Sequence, residues 1–250
     1  MLAQWAPLPM ELPYLVHVAL TLVVLAAVVR VPETRPAGPA VRTRVHVPVR
    51  FRRVVAPMAP WVFGAPAVSF AVQPAALGAA VGPYGLVYAT LLTVLTLGAG
   101  VAVQPWARRL DARSPSLTAP LGLVALTLGI LLAAGAAASG VPALAAPASV
   151  VLGAAFGFCL VAGLLEVQRM AAPEHLGGLT AIYYTLTYGG FAIPVLLAAL
   201  TGVAGYPALL LVLAALAALS LVAVVRGSRA PGRASAPRSA ARTRSSRSSP

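Results

Sequence analysis

Residues 117–168 read LTAPLGLVALTLGILLAAGAAASGVPALAAPASVVLGAAFGFCLVAGLLEVQ, and Glu166 is the only charged side chain among them. Two apolar runs, each longer than the roughly 20 residues a helix needs to cross a bilayer's hydrocarbon, flank a turn signal at Gly140 and Pro142. This is the pattern of a transmembrane helical hairpin. Working outward from it, comparable runs predict seven spans, at 13–30, 55–80, 84–106, 117–139, 142–168, 178–201 and 206–225. The composition agrees, because 60% of the 250 residues are apolar and only 9% charged, against about 25% charged in a soluble domain. The expected fold class is all-α, a polytopic helical membrane protein with about seven transmembrane helices.

The 18 basic residues are all arginine, and their placement predicts orientation. They lie between the first two spans (Arg30, Arg35, Arg42, Arg44, Arg50, Arg52, Arg53), after the third (Arg108, Arg109, Arg113), after the fifth (Arg169) and after the last (Arg226, Arg229, Arg233, Arg238, Arg242, Arg244, Arg247). All four segments fall on one side, and the turns near Gly82, Gly140 and Gly202 on the other hold none. Basic loop residues stay cytoplasmic, so the chain is expected in the cell inner membrane as a multi-pass protein, amino terminus outside and carboxyl terminus cytoplasmic. Four regions follow: an outside terminus and first helix (1–30), a basic cytoplasmic loop (31–53), a six-helix transmembrane bundle (54–226), and an Arg/Ser-rich cytoplasmic tail (227–250) too poor in apolar residues to bury a core. The Ala, Gly, Pro and Arg bias, with lysine and asparagine absent, points to a GC-rich bacterial coding sequence.

Several function classes drop out. A net charge of +13 would suit nucleic acid only if it formed a basic face on a folded domain, whereas here the arginines sit between apolar runs, so no nucleic-acid partner is expected. The single cysteine, Cys159, precludes a disulfide framework and a CxxC site, and no metal or other cofactor is expected. A retinal protein needs a Schiff-base lysine, and there is none. An intramembrane hydrolase needs a nucleophile beside a positioned base, but His17, His46 and His175 have no such partner at membrane depth. The chain is not expected to be an enzyme.

Three motifs carry a family resemblance. VPETRP (residues 31–36) follows the first span, GAGVAVQPWARRLDAR (98–113) ends the third, and QRMAAPEHLGGLTAIYYTLTYGGFAIP (168–194) joins the fifth to the sixth. In this order they resemble the end of the sixth helix, the loop between the eighth and ninth helices, and the junction of the tenth and eleventh helices in the major facilitator superfamily. The last six spans thus resemble the carboxyl-terminal six-helix bundle of such a transporter, and the first span resembles the last helix of its amino-terminal half. The resemblance implies alternating access by a secondary active transporter for a small-molecule solute, with inverted three-helix repeats. Five of the family's twelve helices have no counterpart, so the chain is expected to be a fragment, inactive without an amino-terminal half or a second copy. The alternative is a noncatalytic membrane subunit or scaffold.

Candidate site residues follow from position. Thr180, Tyr184, Thr187 and Tyr188 recur at i, i+4, i+7 and i+8, one stripe of a helix, with Leu179, Ile182 and Leu186 free to face elsewhere. Together with Gln73, an amide at the helix break before Pro74, they are the candidate substrate-binding residues. Glu166 lies within a turn of Arg169, where an i,i+3 ion pair can form. Glu166 and Arg169 are candidates for gating or coupling, and the resemblance adds Arg108, Arg109, Asp111 and Arg113 as a cytoplasmic latch. Gly153 and Gly157 form a GxxxG for close helix approach, with Gly98 and Gly100 facing the same region.

Overall fold

The computed structural model describes residues 11–32 and 47–229, and within these the chain is helical with no strand. It divides into two compact units, residues 1–42 and 43–250. The described part of the first is a single helix, α1 (Leu12–Val28), with Pro13 in its first turn. Thr21 Oγ1 donates to the His17 carbonyl at 2.8 Å and Arg30 Nη1 to that of Ala26 at 3.1 Å. The VPETRP motif beyond Pro32, the basic loop through His46 and the tail from residue 230 lie outside the described residues.

The second unit contains α2 (Ala56–Ala67), α3 (Gln73–Val81), α4 (Gly85–Arg113), α5 (Pro115–Ser139), α6 (Ala145–Met170), α7 (Leu176–Tyr188), α8 (Ala192–Leu200) and α9 (Tyr206–Arg229). Short π or 3₁₀ turns join several of them, so that five continuous helical stretches are long and apolar enough to cross a membrane. The first of these stretches carries two of the expected spans. Phe51–Arg113 is one unbroken helical stretch of 63 residues, about 95 Å if straight and three times a bilayer's hydrocarbon thickness. It folds back at the 3₁₀ turn Gly82–Tyr84, where Gly82 takes φ 55°, a conformation glycine adopts without a Cβ penalty. Spans 55–80 and 84–106 are thus the two limbs of one hairpin, tied by the Ser69 and Thr96 hydroxyls 2.6 Å apart. Helix α1, on the expected span 13–30, is apolar but shorter, its 17 residues reaching about 25 Å.

The first limb bends where proline dictates. Pro74 has no N–H and its ring crowds the carbonyl four residues back. The chain widens just before it into a π turn, Val68–Val72, in which the Gln73 N–H reaches the Val68 carbonyl. Gly140 closes α5 in the left-handed conformation, φ 67°, its N–H bonded to the Ala136 carbonyl, the usual glycine cap.

Helix α6 is the centre of the bundle, with Ala148, Leu152, Ala155, Cys159, Ala162 and Val167 all buried. It packs on α4, α5 and α2, while α9 packs on α5, and α7 on α2. The α4–α6 contact is made by backbone. A Cβ on Gly153 would overlap the Thr96 carbonyl and one on Gly157 the Gly100 carbonyl. Both residue numbers rise by four together, so the two helices run parallel in the register of a small-xxx-small contact. Gly98 faces open space instead, correcting its expected place beside Gly100, because two residues along a helix is more than half a turn. Outside, Val94, Val101, Leu128, Leu196, Leu211 and Leu219 are exposed, an apolar exterior around a core of small residues.

Candidate functional site

Three groupings emerge from this frame. The first is a buried polar cluster. Ser69 on the π turn, Gln73 at the start of α3, Thr96 on α4 and Ser149 on α6 are each no more than 1% exposed. Ser69 Oγ donates to Ser149 Oγ at 2.7 Å and lies 2.6 Å from Thr96 Oγ1, Gln73 Nε2 donates to Ser149 Oγ at 3.1 Å, and Thr96 Oγ1 donates to the Leu92 carbonyl at 2.8 Å. Gln73 Oε1 is buried with no partner. Counting 1.5 Å per residue from the turns at Gly82 and Pro142, the cluster lies about 10 to 20 Å along its helices, near the middle of a 30 Å layer.

The second is an ion chain at the arginine-bearing end. Arg50 Nε donates to Glu166 Oε1, Arg169 Nη1 to Glu166 Oε2 at 2.9 Å, and Arg169 Nη2 to Asp111 Oδ2. The chain is electrically neutral and joins three places distant in sequence: the residue before the first limb, the end of α4 and the end of α6. The carboxylates are buried, with side chains 6% and 4% exposed, while those of Arg50 and Arg169 keep 47% and 38% of their surface. Water therefore reaches the cations and screens the pairs. A cavity of about 10 Å³ between Arg50, Val54, Ser116, Ala162, Glu166 and Ser228 has room for roughly one water.

The third is an aromatic group. Phe63 of α2 stacks on Phe191 at 5.1 Å and meets Tyr188 at 5.1 Å and Phe156 at 6.1 Å, and Tyr184 lies 6.5 Å from Tyr188.

The expected site residues divide among these groupings. Gln73 is in the polar cluster; Glu166, Arg169 and Asp111 are in the ion chain. Arg108, Arg109 and Arg113 are exposed and take part in no ion pair among the described residues. Their expected loop is the last two turns of α4, because nothing breaks the helix before Ser114–Pro115, and Asp111 turns inward to Arg169 rather than to its neighbours. On α7 the predicted stripe is split. The inward face is Leu179, Tyr183 and Thr187, with Ile182, Tyr184 and Leu186 packed on the core. Thr180 and Tyr184 are half-buried and Tyr188 is 59% exposed. Thr187 Oγ1 bonds only the Tyr184 carbonyl, at 2.8 Å.

The α7 rotation has a steric cause. A Cβ on Gly190 would overlap the Pro60 carbonyl, so the chain after α7 lies directly on α2, and Tyr183 fills the space left by Gly163. The sequence reading missed Ser69, Thr96, Ser149 and Arg50. A usable signal existed for the first three. Ser69 stands four residues before Gln73, Thr96 four before Gly100 and Ser149 four before Gly153, each a polar group one turn from a break or a small residue.

No protein-family model matches the chain, and no match was found among curated proteins or solved structures. The major facilitator resemblance thus rests on the three motifs alone.

Proposed function

We propose that residues 47–229 form a membrane-embedded helical body of a secondary active transporter, moving a small solute across the inner membrane by alternating access with its arginine-bearing end in the cytoplasm. The observation that carries this reading is the ion chain Arg50–Glu166–Arg169–Asp111. It fastens three helix ends by bonds that water can compete for, beyond an α4–α6 contact made by glycine and backbone and a buried hydroxyl cluster. Such a fastening breaks and reforms at little net cost, since part-exposed ion pairs are worth about 1 kcal/mol or less each. In this reading Glu166, Arg169 and Asp111 form the cytoplasmic gate, with Arg108, Arg109 and Arg113 as topology-setting charges beside it. Gln73, Thr180, Tyr184, Thr187 and Tyr188 border the pathway, which a second helical body completes.

The test compares solute flux in native membrane vesicles with and without the full chain. The reading predicts a saturable, gradient-driven flux that depends on the chain and changes rate in Glu166→Gln. Vesicles whose fluxes are identical with and without the chain contradict it. The scaffold reading draws on one observation, the small volume beside the ion chain, and predicts that outcome together with loss of a co-purifying membrane partner when the chain is absent.

A further inference from the structure

We propose that Ser69, Gln73, Thr96 and Ser149 form a binding site for a small monovalent cation of sodium size, held entirely by neutral oxygens. The inference deepens the transporter reading by naming its coupling ion and rests on that reading for this role alone; binding is measurable without transport.

The cluster leaves one buried side-chain acceptor without a partner. Gln73 Oε1, on a side chain 1% exposed, meets no donor. The Ser69 carbonyl is short of one as well: in an α register it would take the Gln73 N–H, which goes to Val68, and in a π register it would take that of residue 74, which is proline. The Ser69 and Thr96 hydroxyls share a proton across 2.6 Å, with the Leu92 carbonyl 2.8 Å from Thr96 Oγ1. A buried acceptor without a partner is destabilising, and the π turn, α4 and α6 bring hydroxyl oxygens to the same point. A cation satisfies several acceptors at once, and broken helices that present carbonyl oxygens are a recurring way to hold sodium inside a membrane.

Charge selects the kind of ion. Among the described residues of this unit the carboxylates are Asp111, Glu166 and Glu174, all at the arginine-bearing end, and the only histidine is His175, beside Glu174. No group that titrates near neutral pH faces the cluster from the π turn, α3, α4 or α6, so a proton has no carrier there. Divalent ions need carboxylate charge, or in the case of magnesium retained water, and neither is provided. The hydroxyls and the Gln73 amide lie 2.6 to 3.1 Å from one another. Binding turns the Ser69 and Ser149 protons outward, so that lone pairs face the ion and the π turn, α4 and α6 are tied through it.

The experiment is thermal unfolding of the purified full chain, followed by tryptophan fluorescence, in sodium chloride titrated against choline chloride at constant ionic strength, with potassium chloride in parallel. Sodium should raise the midpoint saturably, by about 4 °C at ten times its dissociation constant, with less from potassium and none from choline. Gln73→Leu should abolish the sodium shift, and Gln73→Glu, which keeps the oxygen, should retain it. Ser149→Ala should move the sodium midpoint concentration up at least about tenfold and stands in if Gln73→Leu does not fold. Superimposable sodium, potassium and choline curves, the behaviour of a cluster holding water alone, overturn the proposal, as does a sodium shift unchanged in the variants. Such a null leaves the flux test standing, and a sodium shift without flux would keep the site while removing its coupling role.

Discussion

The polar cluster at mid-depth and the ion chain at the arginine-bearing end are built from the same helices, yet by opposite chemistry. At mid-depth the polar groups of the cluster are neutral hydroxyls and an amide, beside glycines that meet backbone carbonyls. One helix end away the polar groups are formal charges, with buried carboxylates and arginines that keep a third to a half of their surface. Distance from water explains the difference. A charge at the centre of a bilayer costs about 2.5–3.5 kcal/mol on insertion scales, while the same charge within a turn of the boundary is solvated by its own reach. The deep region is therefore rigid and geometry-limited, and the shallow one breakable and salt-sensitive.

The largest effect should come from the deep region. Gly153→Val or Gly157→Val drives a side chain into a backbone carbonyl of α4, which cannot move aside, and should cost about 3 kcal/mol or more, seen as loss of monodisperse protein. Gly98→Ala, with nothing within 4 Å of its added Cβ, should be neutral or stabilising by up to about 1 kcal/mol. If both classes behave alike, α4 and α6 do not meet as described.

Next comes the shallow region. Glu166→Gln removes the acceptor shared by Arg50 and Arg169 and should cost about 1–2 kcal/mol, between the values for exposed and buried pairs because water already reaches the arginines. That cost should shrink from low salt to about 1 M salt, where the screening length falls to roughly 3 Å. The thermal midpoint against salt checks it, and a salt-independent cost would erase the contrast between the regions. Ser149→Ala should cost about 1 kcal/mol with no such salt trend when choline is the only monovalent cation. Smallest is Ser220→Ala, which removes the partner of the Trp61 indole N–H at 2.9 Å. It should cost about 0.5 kcal/mol, half-buried as Ser220 is, and shift the tryptophan emission.

Run length and turn residues made most of this architecture legible in the sequence. Gly82 and Gly140 stand at the two turns where φ is positive, and the six runs from 55 to 225 each lie on helices. The outer boundary of α4 was not legible, because polar residues in the last turns of a helix look like a loop when only hydropathy is read. The Glu166–Arg169 pair was visible as a local i,i+3 spacing, whereas its extension to Arg50 and Asp111 bridges 116 and 58 residues and exists only once the helices are packed. The hydroxyl stripe on α7 is split in the fold, with Thr187 inward and Tyr188 outward, because burial there follows where Gly190 meets α2 and not the polarity of the side chains alone.

The most direct test of the gate is whether loosening the shallow region opens the pathway above it. In a Cys159→Ala background, Tyr184→Cys and Tyr188→Cys should react slowly with a small hydrophilic thiol reagent added from the arginine-bearing side, since reaction needs thiolate and therefore water. Adding Glu166→Gln should raise both rates several-fold while Leu179→Cys and Tyr183→Cys, buried on the inward face, stay slow. Rates at Tyr184→Cys and Tyr188→Cys that do not change when Glu166 is neutralised, or that rise equally at all four positions, would contradict a gate formed by the ion chain.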